Sequence, residues 1–156
     1  MSGERKKLGA YAPSGTYAAV SGNAVEPVEI SLTGVLTQAS LQGAIQRIDE
    51  AVSASGRRAA LFDCAEVMTH DGLIRERLLS WILSASQVTC VAIITSNPLL
   101  RVMIGSVALA SNRELRAFDT RANAIEWARV RHHQALQRTS SRPPSRYSYR
   151  GNPKTE

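Results

Sequence analysis

Cysteine and aromatic residues are scarce in this chain, and each scarcity excludes something. Cys64 and Cys90 are the only cysteines among 156 residues, and both lie in apolar runs. Two thiols cannot build a disulfide scaffold, and with His70 and the His132-His133 pair they show no metal-ligand spacing, so they read as small core hydrophobes kept reduced in a cytosol. Aromatic residues make up only 5% against 44% hydrophobic overall. That aliphatic and alanine weighting suits parallel strands buried under helices. The sequence also lacks a phosphate-binding glycine loop, a nucleophile elbow, an HExxH pair and a CxxC pair. No uninterrupted apolar run is long enough to span a bilayer; the longest, 98–110, is broken by Arg101. The opening Met1-Ser2-Gly3-Glu4-Arg5-Lys6-Lys7 has charge with no apolar stretch behind it and does not read as a secretory signal. These absences predict a cytoplasmic protein with no catalytic site, no metal and no cofactor.

Charge is unevenly spread. The formal net charge is +6, yet residues 1–128 balance. Seven basic residues lie from Arg129 onward, opposed only by Glu156. The predicted organisation is a flexible N-terminal arm (1–14), one domain (15–131) and a disordered basic tail (132–156), whose Thr139–Ser145 stretch cannot bury a core. A neutral body is not the footprint of a groove-reading DNA-binding domain. The tail, with Tyr147 and Tyr149 among its cations, suits weak contact with nucleic acid or an anionic membrane face.

Strand and helix patterns alternate through the body. Thr16–Val20 reads as a weak strand, Ser21-Gly22-Asn23 as a turn, and Val28–Thr33, alternating apolar and polar, as a strand with one face exposed. Leu41, Ala44, Ile45, Ile48 and Val52 recur at helical spacing, with Thr37 or Ser40 as cap and Ser55-Gly56 as stop. Ala59–Cys64 is a strand, and a helix follows from Gly72 to about Leu83. Val88–Ile94, rich in β-branched residues, reads as a strand covered on both faces. Asn97-Pro98 starts a helix to Ser111. Its Leu99, Val102, Met103, Val107 and Ala110 are expected on one face, with Leu100, Ile104 and Leu109 elsewhere, so it is apolar nearly all round. A short edge strand at Arg116-Ala117-Phe118 and a last helix, with Asp119-Thr120 as cap and Ala122, Ile125 and Ala128 inward, complete the order β-β-α-β-α-β-α-β-α.

The most informative stretch is Cys64–Leu73. An apolar strand stops at Asp63, a short acidic loop containing Glu66 follows, and Asp71-Gly72 opens a helix. A loop set on a helix N-terminus gathers exposed N–H donors and a partial positive charge, suiting anions or a partner's acidic groups. Thr69, His70, Asp71, Gly72 and Arg75 are the candidate partner-binding residues, with Arg77 at the far limit of the surface. Asp71 reads as the helix N-cap and His70 as an exposed loop residue.

The run Ile30–Thr37, then Leu61-Phe62-Asp63 with Val67 and Asp71-Gly72-Leu73, resembles the STAS superfamily, the fold of anti-sigma-factor antagonists, and more narrowly its SpoIIAA-like branch. Leu115–Asp119 and Ala122–Ala128 are similar to that branch's close, so the likeness covers roughly residues 16–130. The resemblance implies an α/β fold with a mixed sheet of four to five strands, helices packed on it and no catalysis. It also implies a regulatory module that docks a protein partner. In the antagonists a serine at the start of the second helix is phosphorylated by a partner kinase, which abolishes docking. Here the matching loop reads Thr69-His70-Asp71-Gly72, with Thr69 as the phosphorylatable group and Asp71 as a fixed negative charge. A carrier of a small apolar ligand or lipid, motivated by the 98–111 helix, is the alternative reading, and self-association through that helix would give a homodimer.

Overall fold

The computed structural model describes residues 17–19 and 26–140. The N-terminal arm, the Ser21-Gly22-Asn23 turn and residues 141–156 lie outside them. Five strands form one sheet in the sequential order β1 (Tyr17–Ala19), β2 (Val28–Leu36), β3 (Arg58–His70), β4 (Val88–Ile94) and β5 (Leu115–Phe118). The first two are antiparallel, and the remaining pairs are parallel. Parallel neighbours require crossovers, supplied by α1 (Gln38–Ser55), α2 (Ile74–Ser84) and α3 (Pro98–Ser111), while α4 (Arg121–Ser140) follows the last strand. The predicted class and element order are therefore observed.

The three crossover helices and α4 take opposite faces. Ile30, Phe62, Val91 and Ile93 bury against Ile45, Ile48, Trp81, Ile104 and Val107 from α1, α2 and α3. The alternate residues Leu61, Cys90, Ala92 and Ile94 face Ala124 and Ala128 of α4. Period-two alternation with both faces covered explains why β4 reads as a nearly continuous apolar run. Both cysteines are buried and neither forms a disulfide, and desolvation pushes each thiol up to about 12.

Local chemistry sets most boundaries. Thr37 and Ser40 form a reciprocal capping box that starts α1, and Gly56, at φ 83°, ends it. Asn97 caps α3, with Pro98 in its first turn. Three expectations about α3 and α4 differ from the fold. The inward face of α3 is Leu100, Met103, Ile104, Val107 and Ser111; Leu99, Val102 and Leu109 point outward and Ala110 is exposed. The inward face of α4 is Ala124, Ala128 and His132 rather than Ala122, Ile125 and Ala128; Ala122 is exposed and Ile125 only partly buried. Finally, α4 does not stop at 131. Its last turns are held down by His132, whose Nδ1 lies 2.8 Å from Thr89 Oγ1, and by Arg57 donating to Thr139. The domain boundary moves to at least Ser140, so residues 132–140 belong to the folded body. The basic charge of this region is likewise partly the body's own, since Arg129 pairs with Glu26 and Arg131 with Glu114.

Candidate functional site

The segment read as a loop after Cys64 is strand. β3 runs to His70 because β2 is long enough to accompany it: Thr33 pairs with Glu66, Gly34 with Val67, Val35 with Thr69 and Leu36 with His70. Two register shifts interrupt the pairing, each with its extra residue on β3, and the second falls beside Gly34, whose φ of 72° favours glycine. Pairing with β4 ends earlier, at Asp63 and Ile94. Beyond that point β2 and β3 continue as a two-stranded ribbon past the rest of the sheet. Asp63 marks the departure, its carboxylate accepting from the Ala65 N–H at 3.1 Å.

The ribbon's free side has one described tether. Asn97 caps α3 through its Oδ1, which accepts from Leu99 and Leu100 N–H, and donates through Nδ2 to the Met68 carbonyl at 3.0 Å. One side chain therefore starts a helix and pins the ribbon. Asn97→Ala is expected to cost about 1 kcal/mol from the cap. It should also raise amide exchange more at 66–70 than at 88–94, as hydrogen-exchange mass spectrometry would show; equal protection in both would remove the tether from the account.

The turn into α2 follows. Asp71 N–H donates to the Leu36 carbonyl at 2.9 Å, closing the ribbon. Asp71 is not the helix cap. Leu73 holds that position with no side-chain cap bond, and α2 begins at Ile74. The Asp71 carboxylate instead accepts from Leu73 N–H at 3.2 Å, an Asx turn, while its carbonyl accepts from Ile74 N–H. Ile74, the first residue of α2, is 1% exposed and packs into the core.

The predicted residues are thus partly gathered. Thr69, Asp71 and Gly72 are exposed at the tip, and His70 is half-buried on the strand rather than loose in a loop. Arg75 turns away, donating from Nε to Ser106 Oγ of α3 at 2.9 Å, and Arg77 reaches the other way to Gln42 of α1 at 2.7 Å. Both arginines brace α2 between its neighbours. Thr69 lies five residues before the first residue of α2, and no hydroxyl stands between Gly72 and Arg77. The helix start therefore carries no group that could take a phosphate.

Apolar exposure is what the sequence reading did not assign to this end. Met68 is 76% exposed, Leu73 55% and Val35 54%; on α3, beyond Asn97, Leu99 and Val102 are each 72% exposed. Met68 stands in the sequence as an apolar residue among polar ones, and its outward direction follows from the continuation of β3 beyond Cys64 to His70.

A mixed sheet with this order, three crossover helices on one face and a turn opening the second helix define a STAS-type domain. Residues 28–129 match the family described as SpoIIAA-like, and the chain belongs to that family. Among solved structures, it is similar to an uncharacterised protein from Shewanella loihica described as having a SpoIIAA-like fold. The TM-score is 0.57 and the identity 17%, over 74% of this chain and 95% of that one, a likeness of fold. No protein with a curated description matches it. No described helix is long and apolar enough to cross a membrane.

Proposed function

We propose that this protein is a non-enzymatic regulatory module, acting in the cytoplasm, that docks a protein partner through the tip of the β2–β3 ribbon and the start of α2. The observation that carries this reading is the composition of the tip. Thr69, Asp71 and Gly72 stand exposed beside the outward-facing Met68 and Leu73. Apolar anchors beside polar groups are what a transient interface needs, and the projecting ribbon presents them clear of the sheet. Membership of the SpoIIAA-like family supports an interaction role.

Two details shape the proposal. With no hydroxyl at the helix start, control by phosphate at that position does not carry over; Asp71 supplies a constant negative charge there. Because Arg75 and Arg77 are engaged by Ser106 and Gln42, they position α2 and leave recognition to Thr69–Leu73. The outward residues of α3 extend the same apolar character, which favours docking or self-association over a ligand cavity.

The test is quantitative affinity capture from the native cell, comparing the wild type with Asp71→Arg. Charge reversal at the tip is expected to deplete the specific partner at least about tenfold, as loss of a charge-assisted contact would. Stability should move by no more than about 1 kcal/mol, the scale of a lost Asx turn. An unchanged partner profile from a folded Asp71→Arg protein would sink the proposal.

A further inference from the structure

At the opposite side of the sheet, β5 is bonded on one side only among the described residues. Val91 N–H donates to the Glu114 carbonyl and Thr95 N–H to the Phe118 carbonyl, each at 2.9 Å. Along a strand, successive residues turn their N–H and C=O groups to opposite sides. Glu114, Arg116 and Phe118 therefore face β4, and Leu115 and Ala117 direct theirs outward, where no described strand receives them. An open edge of this kind is a template for another strand.

The side chains beside the edge are not neutral. On the α4 face, Phe118 packs on Trp127 with ring centroids 5.3 Å apart. Arg116 lies over the Phe118 ring at 5.4 Å and Arg131 over Trp127 at 5.9 Å. α4 sits mainly over β3 and β4, so these four line an open groove next to β5. Arg131 has Glu114 at 3.7 Å, whereas Arg116 has no carboxylate within ion-pair distance among the described residues. Glu126 is the groove's one acid against two arginines.

We propose that this edge and groove dock an extended acidic segment of a partner protein, added to the sheet as a sixth strand. Alternate acidic side chains would meet Arg116 and Arg131 over the aromatic floor, and the intervening ones would lie beside Ala117 on the other face. Charge selects this occupant. The chain's own termini are basic, carrying Arg5, Lys6 and Lys7 at one end and Arg142, Arg146, Arg150 and Lys154 at the other. A second copy pairing its β5 symmetrically about Arg116, Leu115 opposite Ala117, would bring Arg116 against its own equivalent, and like charges facing each other across a ladder are destabilising. The site is remote from the ribbon tip and does not rest on the function proposed for it.

The probe is a fluorescein-labelled hexapeptide of alternating Glu and Val, read by anisotropy against the full-length protein. Three control peptides are used: one with Lys for Glu, and two N-methylated at alternate amides, each along one of the two edges. Saturable binding of the Glu peptide is expected. Arg116→Glu should weaken it about tenfold, the scale of a hydrogen bond to a charged group, and this exposed substitution leaves the core intact. N-methylation of the edge that faces β5 should abolish it. No binding at millimolar peptide, equal binding of the Lys peptide, or indifference to Arg116→Glu overturns the proposal. Indifference to N-methylation of both edges overturns the added strand. Sedimentation at twice the monomer mass that reverts to monomer in Arg116→Glu would name a second copy as occupant and equally refute it.

Discussion

Phe62→Ala should destabilise the domain by about 3–5 kcal/mol, the range for deleting a buried aromatic ring. Phe62 is 2% exposed at the middle of the central strand, with Ile30 and Ile93 as its register neighbours. It meets Trp81 of α2 edge to face, centroids 5.8 Å apart and planes at 83°. Trp81 is itself fixed by its Nε1–H donating to Asp49 Oδ1 of α1 at 3.0 Å. Removing the ring opens a cavity between the sheet and two helices, and about 0.5–1.5 kcal/mol of ring-pair geometry goes with it. Single domains are stable by only about 5–15 kcal/mol, so this is a large share of the total. Urea unfolding at neutral pH should show a lower midpoint with unchanged slope, and Phe62→Leu a much smaller loss. A deficit under about 1 kcal/mol for the alanine variant would mean that the core is not centred on β3.

The same strand explains why the fold was legible in the sequence and the site only partly so. Residues 59–62 are apolar because β3 is buried on both faces there, and Val88–Ile94 reads much the same way for the same reason. Past Asp63 the strand has one neighbour in the sheet instead of two, and its residues become Glu66, Thr69 and His70. A half-solvated ribbon has a loop's composition, so nothing local distinguishes them; only the length of β2, which itself contains Gly34, decides the matter. Helix α3 misled in the opposite way. With apolar residues almost all round, its sequence offers several equivalent stripes, and the choice of Leu100, Ile104 and Val107 as the buried face is made by the sheet it packs on. For α4 the apolar pattern fades after Ala128. Its last turns are held by a histidine and by a hydroxyl that accepts from Arg57, residue types that ordinarily mark a solvated tail. Asp71 is a finer case: its carboxylate does accept a backbone N–H just before α2, but from Leu73 in an Asx turn, two residues ahead of the position that caps the helix.

Acid should weaken the domain through His132, and His132→Asn should remove that weakness. The side chain is 4% exposed beside Thr89. Burial lowers its pKa from the ordinary value of 6.5, and the nearby charges of Arg57, Arg58 and His133 lower it further. The folded state therefore binds a proton less readily than the unfolded chain. Above about pH 6.5 both are neutral at this position and stability is full. As the pH falls below that value the unfolded chain takes up the proton first, and stability is lost at up to about 1.4 kcal/mol per pH unit until the folded pKa is reached. His70 and His133 are present in both proteins, so their contributions cancel in the comparison. Asparagine keeps a polar group near Thr89 and does not titrate. The fall in unfolding free energy between pH 7.5 and pH 5.5 is accordingly expected to be smaller in the variant, by at most about 1.4 kcal/mol, whatever its absolute stability. Because His132 anchors the turns that carry Arg138 and Thr139, the wild type should lose amide protection at 132–140 before the sheet opens. Identical acid sensitivity in the two proteins would remove His132 as the group responsible.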